Sequence, residues 1–218
     1  MKHLVATLLT VSCAADLFGQ GAINFNNRVT PAATGVVAPV YGPEPGNPFL
    51  SIRGNATTNG GTRTYTGPLL LGTGFTAQLW AGPAGTAEND LTAVADPNGT
   101  VRFRTAATFA GFVQPPALSP VIAGVPGGSQ ATMQIRAWDN TAGGGNILTW
   151  AQVMADPSIP RGVSDLFTPP ALVTPPGTPP NMIGLTSFNL FIVPEPSLIA
   201  LGALGLGALL LRRFRKQS

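Results

Sequence analysis

The sequence predicts an all-β fold class, with a single antiparallel β-sandwich as the body of the protein. Glycine and proline, the two poorest helix formers, supply 27 and 22 of the 218 residues, which disfavours long helices. Hydrophobic residues still make up 44% of the chain, which is enough to build a core. Short runs alternate between apolar and polar residues, and turn residues separate them. This pattern is typical of antiparallel sheets with one face toward a core.

The alternating runs predict the individual strands, because successive side chains of a strand point to opposite faces. In the clearest run Met133 and Ile135 share one face, while Gln134 and Arg136 share the other. The same pattern predicts strands at Ala22–Asn26, Phe75–Trp80, Thr100–Arg104, Ala131–Trp138 and Ser187–Val193. Two sandwich types, jelly-roll and immunoglobulin-like, remain open at this point.

Turn-forming residues predict how the strands connect. Asn98-Gly99 is a strong hairpin signal. Residues 55–66 are polar and predict a loop or an exposed hairpin. The proline-rich loop 168–180 is expected to be extended and exposed, without ladder hydrogen bonds. Residues 147–155 predict at most one short helix.

The first residues have the layout of a secretory signal peptide, which we predict at residues 1–20. A polar start is followed by the apolar run Leu4–Val11 and then by small residues, namely Ser12, Ala14 and Ala15. Cleavage is expected between Ala14 and Gln20. Two alternatives are a buried N-terminal strand or helix and lipidation of Cys13.

An uncharged, proline-free run at residues 197–211 predicts a single transmembrane helix near the C-terminus. Its length as a helix is about 22 Å, short of the roughly 30 Å of a bilayer core. Local thinning, or snorkelling of the flanking arginines, would close the gap. The basic tail at 212–216 should stay cytoplasmic and leave the body translocated. Its charged residues are Arg212, Arg213, Arg215 and Lys216.

The order of Pro194-Glu195-Pro196, the apolar run and the basic tail resembles the PEP-CTERM sorting signal of exported bacterial proteins. The resemblance covers residues 193–218. It implies recognition of Pro194, Glu195 and Pro196 by an exosortase, which is a membrane transpeptidase. It also implies that the four basic residues form the stop-transfer tail. The runs GAINFNN, FTAQLWAGP and MQIRAWD also resemble uncharacterised exported proteins with the same ending, for which no activity is known.

The body between the two ends, residues 21–192, has little net charge. Seven arginines and eight acidic residues lie between Gly21 and Pro196, so the high isoelectric point of 9.6 comes from the termini. Nucleic-acid binding would need a basic body. We therefore expect no nucleic-acid partner.

The same body lacks the side chains of several common catalytic groups. The only histidine, His3, and the only cysteine, Cys13, lie in the first segment, and the two lysines are Lys2 and Lys216. This distribution excludes Ser-His-Asp and Cys-His catalysis, ordinary zinc sites and lysine Schiff bases in the body. The sequence predicts no catalytic residue, no cofactor and no metal site, while the residues that bind a ligand stay unknown.

Acidic residues leave two weaker alternatives open. A glycosidase would need paired carboxylates, for which Glu88 with Asp90, or Asp139 with Asp156, are available. Calcium would need oxygen ligands from loops, at Asp96–Asn98, Asp139–Asn140 or Glu88–Asp90. Ordinary turns that use Asp and Asn side chains are the preferred interpretation of all of them.

The three tryptophans have two interpretations. Exposed aromatic rings serve as stacking platforms in sugar-binding sandwiches, whereas buried ones pack a core. We expect Trp80 and Trp138 in the core and leave Trp150 open.

The sequence thus predicts a non-enzymatic exported protein of the cell surface or extracellular matrix. An inner-membrane intermediate would precede its release. A carbohydrate-binding module for surface polysaccharide is the alternative, followed by a glycoside-active enzyme.

Overall fold

The computed structural model describes residues 19–30, 35–141 and 149–194. Most of the predicted signal peptide lies outside these ranges, as do Glu195, Pro196, the predicted helix 197–211 and the basic tail. The strands are β1 (Gln20–Ala22), β2 (Arg28–Val29), β3 (Val36–Val37), β4 (Val40–Tyr41), β5 (Phe75–Pro83), β6 (Thr92–Ala93), β7 (Thr100–Arg102), β8 (Val121–Pro126), β9 (Ala131–Asp139), β10 (Arg161–Val163) and β11 (Phe188–Asn189). Three short 3-10 turns, at Thr57–Asn59, Glu88–Asp90 and Ala107–Phe109, and the α-helix α1 (Trp150–Ala155) accompany them.

The all-β prediction is confirmed, because the described residues are mainly strands and connecting segments. The strands form one five-stranded sheet and three two-stranded sheets. The large sheet has the order β10-β9-β5-β6, and β7 also pairs with β5. The small sheets are β1–β8, β2–β3 and β4–β11.

The centre of the large sheet is the antiparallel pair β5 and β9, in register from Phe75 opposite Asp139 to Pro83 opposite Ala131. The predicted alternation is confirmed on one face of both strands, where Leu79, Met133 and Ile135 are fully buried. We call this the inner face. Side chains in or next to the small sheets, such as Ile23, Val40, Ile122, Phe188 and Leu190, belong to the same hydrophobic core as this face.

Two predictions are wrong, one about a hairpin and one about the direction of a strand. Asn98-Gly99 does not close a hairpin, because β6 and β7 both pair with β5 rather than with each other. Gly99 instead allows a tight bulge within this edge, where an added Cβ would lie 2.0 Å from the Val94 carbonyl oxygen. The last strand, β11, is parallel to β4 and not antiparallel.

The proline-rich loop 168–180 is less exposed than expected. Leu172, which lies between two proline pairs, is 1% exposed and belongs to the hydrophobic core. The Leu172 N–H donates to the Ser129 carbonyl at 2.8 Å, and Val173 accepts a hydrogen bond from the Ala22 N–H at 2.9 Å. The four residues between the proline pairs, 171–174, therefore join this loop to the body through backbone hydrogen bonds.

The short helix predicted within 147–155 is confirmed as α1. Its N-terminus is capped by Thr149 and Gln152, each accepting a hydrogen bond from the other's backbone N–H. No helix within 19–30, 35–141 or 149–194 has the length and apolar character needed to cross a bilayer.

Candidate functional site

The strongest site candidate is an open cleft of about 580 Å³ lined by residues 50–53, residues 62–64 and Asp165. We call it the Arg53/Arg63 cleft. Its volume lies in the range of about 300–1,000 Å³ that is usual for ligand pockets. Strand β11 and two neighbouring loops of the chain position its walls.

The first wall, residues 50–53, is fastened to β11 by a buried amide. Asn189 is 1% exposed. Its Oδ1 accepts from the Ile52 N–H at 2.7 Å, and its Nδ2 donates to the Leu50 carbonyl at 2.9 Å. Just after this wall, the Gly54 N–H donates to the Ser187 carbonyl at 2.9 Å. These bonds fix the wall before any ligand arrives.

The second wall, residues 62–64, follows a tight turn and precedes a half-buried tyrosine. At the turn, a Cβ added to Gly61 would lie 1.9 Å from the Asn55 carbonyl oxygen, so only glycine fits. The Tyr65 ring stacks on Tyr41 with centroids 4.1 Å apart. The Tyr65 hydroxyl donates toward the Gly54 carbonyl at 2.6 Å and lies 3.0 Å from the Ser187 carbonyl.

Two ionisable groups next to the second wall, Tyr65 and Glu44, have structural roles. Burial raises the pKa of Tyr65, and the nearby Tyr41, Asp165 and Glu44 raise it further, so the phenol stays protonated and donates. The carboxylate of Glu44, itself 6% exposed, accepts from the Thr66 N–H at 3.0 Å and from the Gly67 N–H at 3.3 Å. The Thr66 hydroxyl donates to it as well.

The polar groups that line the cleft are only partly used by the protein. Arg63 donates through Nε to the Arg53 carbonyl at 3.0 Å, and Arg53 Nη2 lies 3.6 Å from Glu88 Oε1. Asp165 Oδ2 accepts from the Thr186 hydroxyl at 3.1 Å. Further hydroxyls in the lining, which make no hydrogen bond to the described residues, belong to Ser51, Thr62 and Thr64.

Glu88 connects the cleft to the other side of the large sheet, which we call the outer face. Glu88 Oε1 accepts from Gln134 Nε2 at 2.8 Å, and the Glu88 carbonyl accepts from Arg136 Nη2 at 3.1 Å. The Arg136 guanidinium lies 3.8 Å from the Trp80 ring centroid and 5.5 Å from that of Trp150. Burial lowers the pKa of Arg136, and the charge of Glu88 opposes this shift.

The structure separates the three tryptophans. Trp138 is fully buried, as predicted. Trp80 is half-buried on the outer face and belongs to neither hydrophobic cluster, so this part of the prediction is wrong, and Arg136 occupies one face of its ring. The reason is the register of β5, which puts Trp80 on the same side as Gln78. Trp150 is also half-buried and packs on Trp138, with ring centroids 5.9 Å apart.

Two of the acidic residues considered from the sequence accept hydrogen bonds within their own turns. Asp139 accepts from the Thr141 N–H at 2.7 Å, and Asp156 accepts from the Ser158 N–H at 2.9 Å. The Ser158 hydroxyl and N–H lower the pKa of Asp156. Within the described ranges, no three Asp, Glu, His or Cys residues gather as a metal site would require.

The end of the described chain is held against the body. The Ile192 N–H donates to the Pro48 carbonyl at 2.8 Å, and the Val193 N–H donates to the Pro157 carbonyl at 3.3 Å. Pro194 is exposed, and the rest of the predicted sorting motif lies outside the described residues. The folded body therefore extends up to Pro194, the first residue of that motif, with no linker between them.

Comparison with protein-family models, with curated proteins and with solved structures finds no match to this chain.

Sequence reasoning missed the cleft. Arg53 and Arg63 are ten positions apart, and only Arg63 lies in the polar stretch 55–66, which predicts a loop or an exposed hairpin. Asp165 lies about a hundred residues further along the chain. The only local signal was the density of hydroxyl and guanidinium groups at residues 62–64. The β11 residue that fixes the first wall, Asn189, gave no signal at all.

Proposed function

We propose that this protein is a non-enzymatic exported protein of the cell surface or extracellular matrix. An exosortase-type membrane transpeptidase would process it at Pro194, Glu195 and Pro196. The observation that carries the proposal is the three-part ending behind a segment with the layout of a signal peptide. The predicted membrane helix would hold the body only until cleavage.

The geometry of the body affects this proposed processing at one point. Because the Val193 N–H is hydrogen-bonded to Pro157, a transpeptidase at the membrane would meet the motif directly beside a folded domain. We also propose that the body is a sandwich, in which the three small sheets form the layer opposite the inner face of the large sheet. The shared hydrophobic core supports this arrangement.

Export and processing can be tested with an epitope tag in the exposed loop around Gly60. We expect wild-type cells to release a body that is shorter than the full chain, with its new C-terminus near Pro194 by mass spectrometry. Alanine at Pro194, Glu195 and Pro196 should leave the full-length chain in the inner membrane. Alanine at Pro179 and Pro180, two prolines of the 168–180 loop, is the matched control and should be processed normally. A full-length cytosolic product in wild-type cells would refute the proposal.

The spacing between body and motif offers a second test. Inserting six Gly-Ser residues between Val193 and Pro194 should leave export intact and speed conversion to the shorter form, because the motif then moves away from the folded body. Pulse-chase labelling measures the rate. Slower conversion would show that the body takes part in recognition.

A second candidate function, polysaccharide binding, is favoured by the Arg53/Arg63 cleft. Its hydroxyl, guanidinium and carboxylate groups converge on fixed walls, which is what hydrogen bonding to sugar hydroxyls requires. Binding to a glycan array that is lost when the cleft is altered would support it. The glycoside-active alternative lacks comparable support, because Asp139 and Asp156 each accept hydrogen bonds in their own turns.

A further inference from the structure

We infer that the Arg53/Arg63 cleft selects a carboxylate-bearing saccharide, and that the ligand carboxylate takes the place of Glu88 on Arg53. The inference rests on the polysaccharide-binding function proposed above and names its ligand class. It follows from the charge of the cleft, from the weakness of one ion pair and from the unused hydroxyl groups.

The charge of the cleft favours an anionic ligand. Two arginines and one aspartate line it, which leaves an excess of one positive charge. Guanidinium groups bind carboxylates through two parallel hydrogen bonds. The Nε donation of Arg63 to the Arg53 carbonyl fixes the direction of that guanidinium. Its two terminal nitrogens donate to none of the described residues, so they are available to an incoming carboxylate.

Glu88 is an internal competitor for the same position. Its carboxylate lies 3.6 Å from Arg53 Nη2, and the two side chains are 40% and 35% exposed. Exposed pairs of this kind contribute little stability, typically about 0–1 kcal/mol. Glu88 also keeps Gln134 as a second partner at 2.8 Å. A ligand carboxylate can therefore displace Glu88 from Arg53 without leaving it unpaired.

The remaining groups favour a sugar over an anion that has no hydroxyl groups. The hydroxyls of Ser51, Thr62 and Thr64 are exposed and without partners among the described residues, so they can donate to and accept from sugar hydroxyls. The Asp165 carboxylate would accept from a sugar hydroxyl. Leu50 and Ile52 supply apolar surface for the carbon face of a ring.

The test measures binding of the full-length chain, purified in detergent, by isothermal titration calorimetry. The probes are tetragalacturonate and the neutral galactose tetrasaccharide of the same length. We expect tetragalacturonate to bind at least tenfold more tightly than the neutral probe. Arg63→Gln and Arg53→Gln should each weaken its binding about tenfold or more, while Arg63→Lys should lose less. Raising the salt concentration should weaken it as well.

Glu88→Gln is the decisive variant. The glutamine keeps an acceptor oxygen for Gln134 but has no charge to hold Arg53, so tetragalacturonate should bind several-fold more tightly. Arg28→Gln changes an arginine outside the cleft and should leave binding unchanged. Urea unfolding midpoints within the wild-type range show that each variant is folded; an Arg→Gln variant that fails this check is replaced by Arg→Lys at the same position.

Each outcome decides a different claim. Equal binding of both probes would overturn the inference about the carboxylate and leave polysaccharide binding standing. No binding of either probe, with a blank glycan array, would refute both. Tight binding of tetragalacturonate that is unaffected by Arg53→Gln and Arg63→Gln would overturn the assignment of the site. No gain with Glu88→Gln would overturn the exchange of carboxylates.

Discussion

The two faces of the large sheet come from the same alternating strands, yet they are buried in different ways. The inner face carries mainly apolar side chains, such as Leu79 and Ile135, which belong to the main hydrophobic core. The outer face carries polar residues and tryptophans, and it is covered as well: Gln134 and Trp138 are both 0% exposed. Alternation therefore identifies the side that faces the main core, but it does not show that the opposite side faces solvent.

Over Trp138, the cover of the outer face consists of α1 and the turn that follows it. Trp138 packs there with Val153 and Ile159 in a second, smaller apolar cluster. Arg161, which is 7% exposed, donates through Nη1 to the Val153 carbonyl at 2.7 Å and to the Asp156 carbonyl at 2.9 Å. This arginine satisfies carbonyls at the end of the helix, which would otherwise lack partners. The side chains of the inner face are held by hydrophobic packing, whereas those of the outer face also depend on hydrogen bonds to charged groups.

The largest expected effect comes from the inner face. Ile135→Ala should lower the free energy of unfolding by about 2–5 kcal/mol, because it removes a fully buried side chain and leaves a cavity. Urea denaturation of the exported body measures the loss. Ile183→Ala, at an exposed isoleucine, is the matched control and should change stability little. A loss below about 1 kcal/mol for Ile135→Ala would mean that the inner face is not close-packed.

This contrast explains how much of the fold the sequence could predict. The inner residues of β5 and β9 were identified because period-two alternation is a local property. Strands β8 and β10 were not predicted, since Val121–Pro126 contains glycine and proline and Arg161–Val163 has only three residues. Their pairing depends on partners far along the chain. The cover over Trp138 also escaped prediction, because a six-residue helix carries too little periodicity to show which face it buries.

The second-largest expected effect comes from Arg161, whose hydrogen bonds stabilise the cover of the outer face. Arg161→Met keeps an unbranched side chain but removes both donors to the end of α1. We expect a loss of about 1–3 kcal/mol, because two carbonyls lose charged hydrogen bonds in a buried setting. Thermal unfolding measures the loss, and near-ultraviolet circular dichroism should report a changed environment of Trp138.

Arg161→Lys separates charge from geometry in the same experiment. Lysine keeps the positive charge but reaches the two carbonyls with a single ammonium group, so it should recover only part of the loss. Full recovery would show that charge at the helix end, and not the guanidinium fork, stabilises the cover.

The third effect concerns Arg136, which lies between two tryptophan rings on the outer face. Arg136→Met should cost about 1–2 kcal/mol, because it removes the cation–π contacts and the hydrogen bonds to Gln134 and Glu88 while keeping much of the side-chain volume. The tryptophan fluorescence spectrum should shift, since Trp80 loses its charged neighbour. An unchanged spectrum together with unchanged stability would mean that Arg136 does not contact Trp80 in solution.

The smallest effect lies in the turn after α1 and depends on pH. Asp156 is exposed, and hydrogen bonds from the Ser158 hydroxyl and N–H lower its pKa below the ordinary value of 3.8. A carboxyl group with a lowered pKa in the folded state stabilises the protein above its unfolded pKa. This contribution disappears as the pH falls through the folded pKa. Ser158→Ala should therefore lower the melting temperature slightly at pH 7, and the difference from wild type should shrink below pH 3.8.

A second variant shows whether this pH dependence belongs to Asp156. Asp156→Asn keeps an acceptor oxygen for Ser158 but does not titrate, so its melting temperature should not show the acid-dependent change attributed to this turn. Adding Ser158→Ala to Asp156→Asn should then produce the same small loss at pH 7 and at pH 3. The contrary result is that the effect of Ser158→Ala in the Asp156→Asn background still shrinks on acidification. In that case a group other than Asp156 titrates there, and the Asp156 turn does not make the stability of the outer-face cover depend on pH.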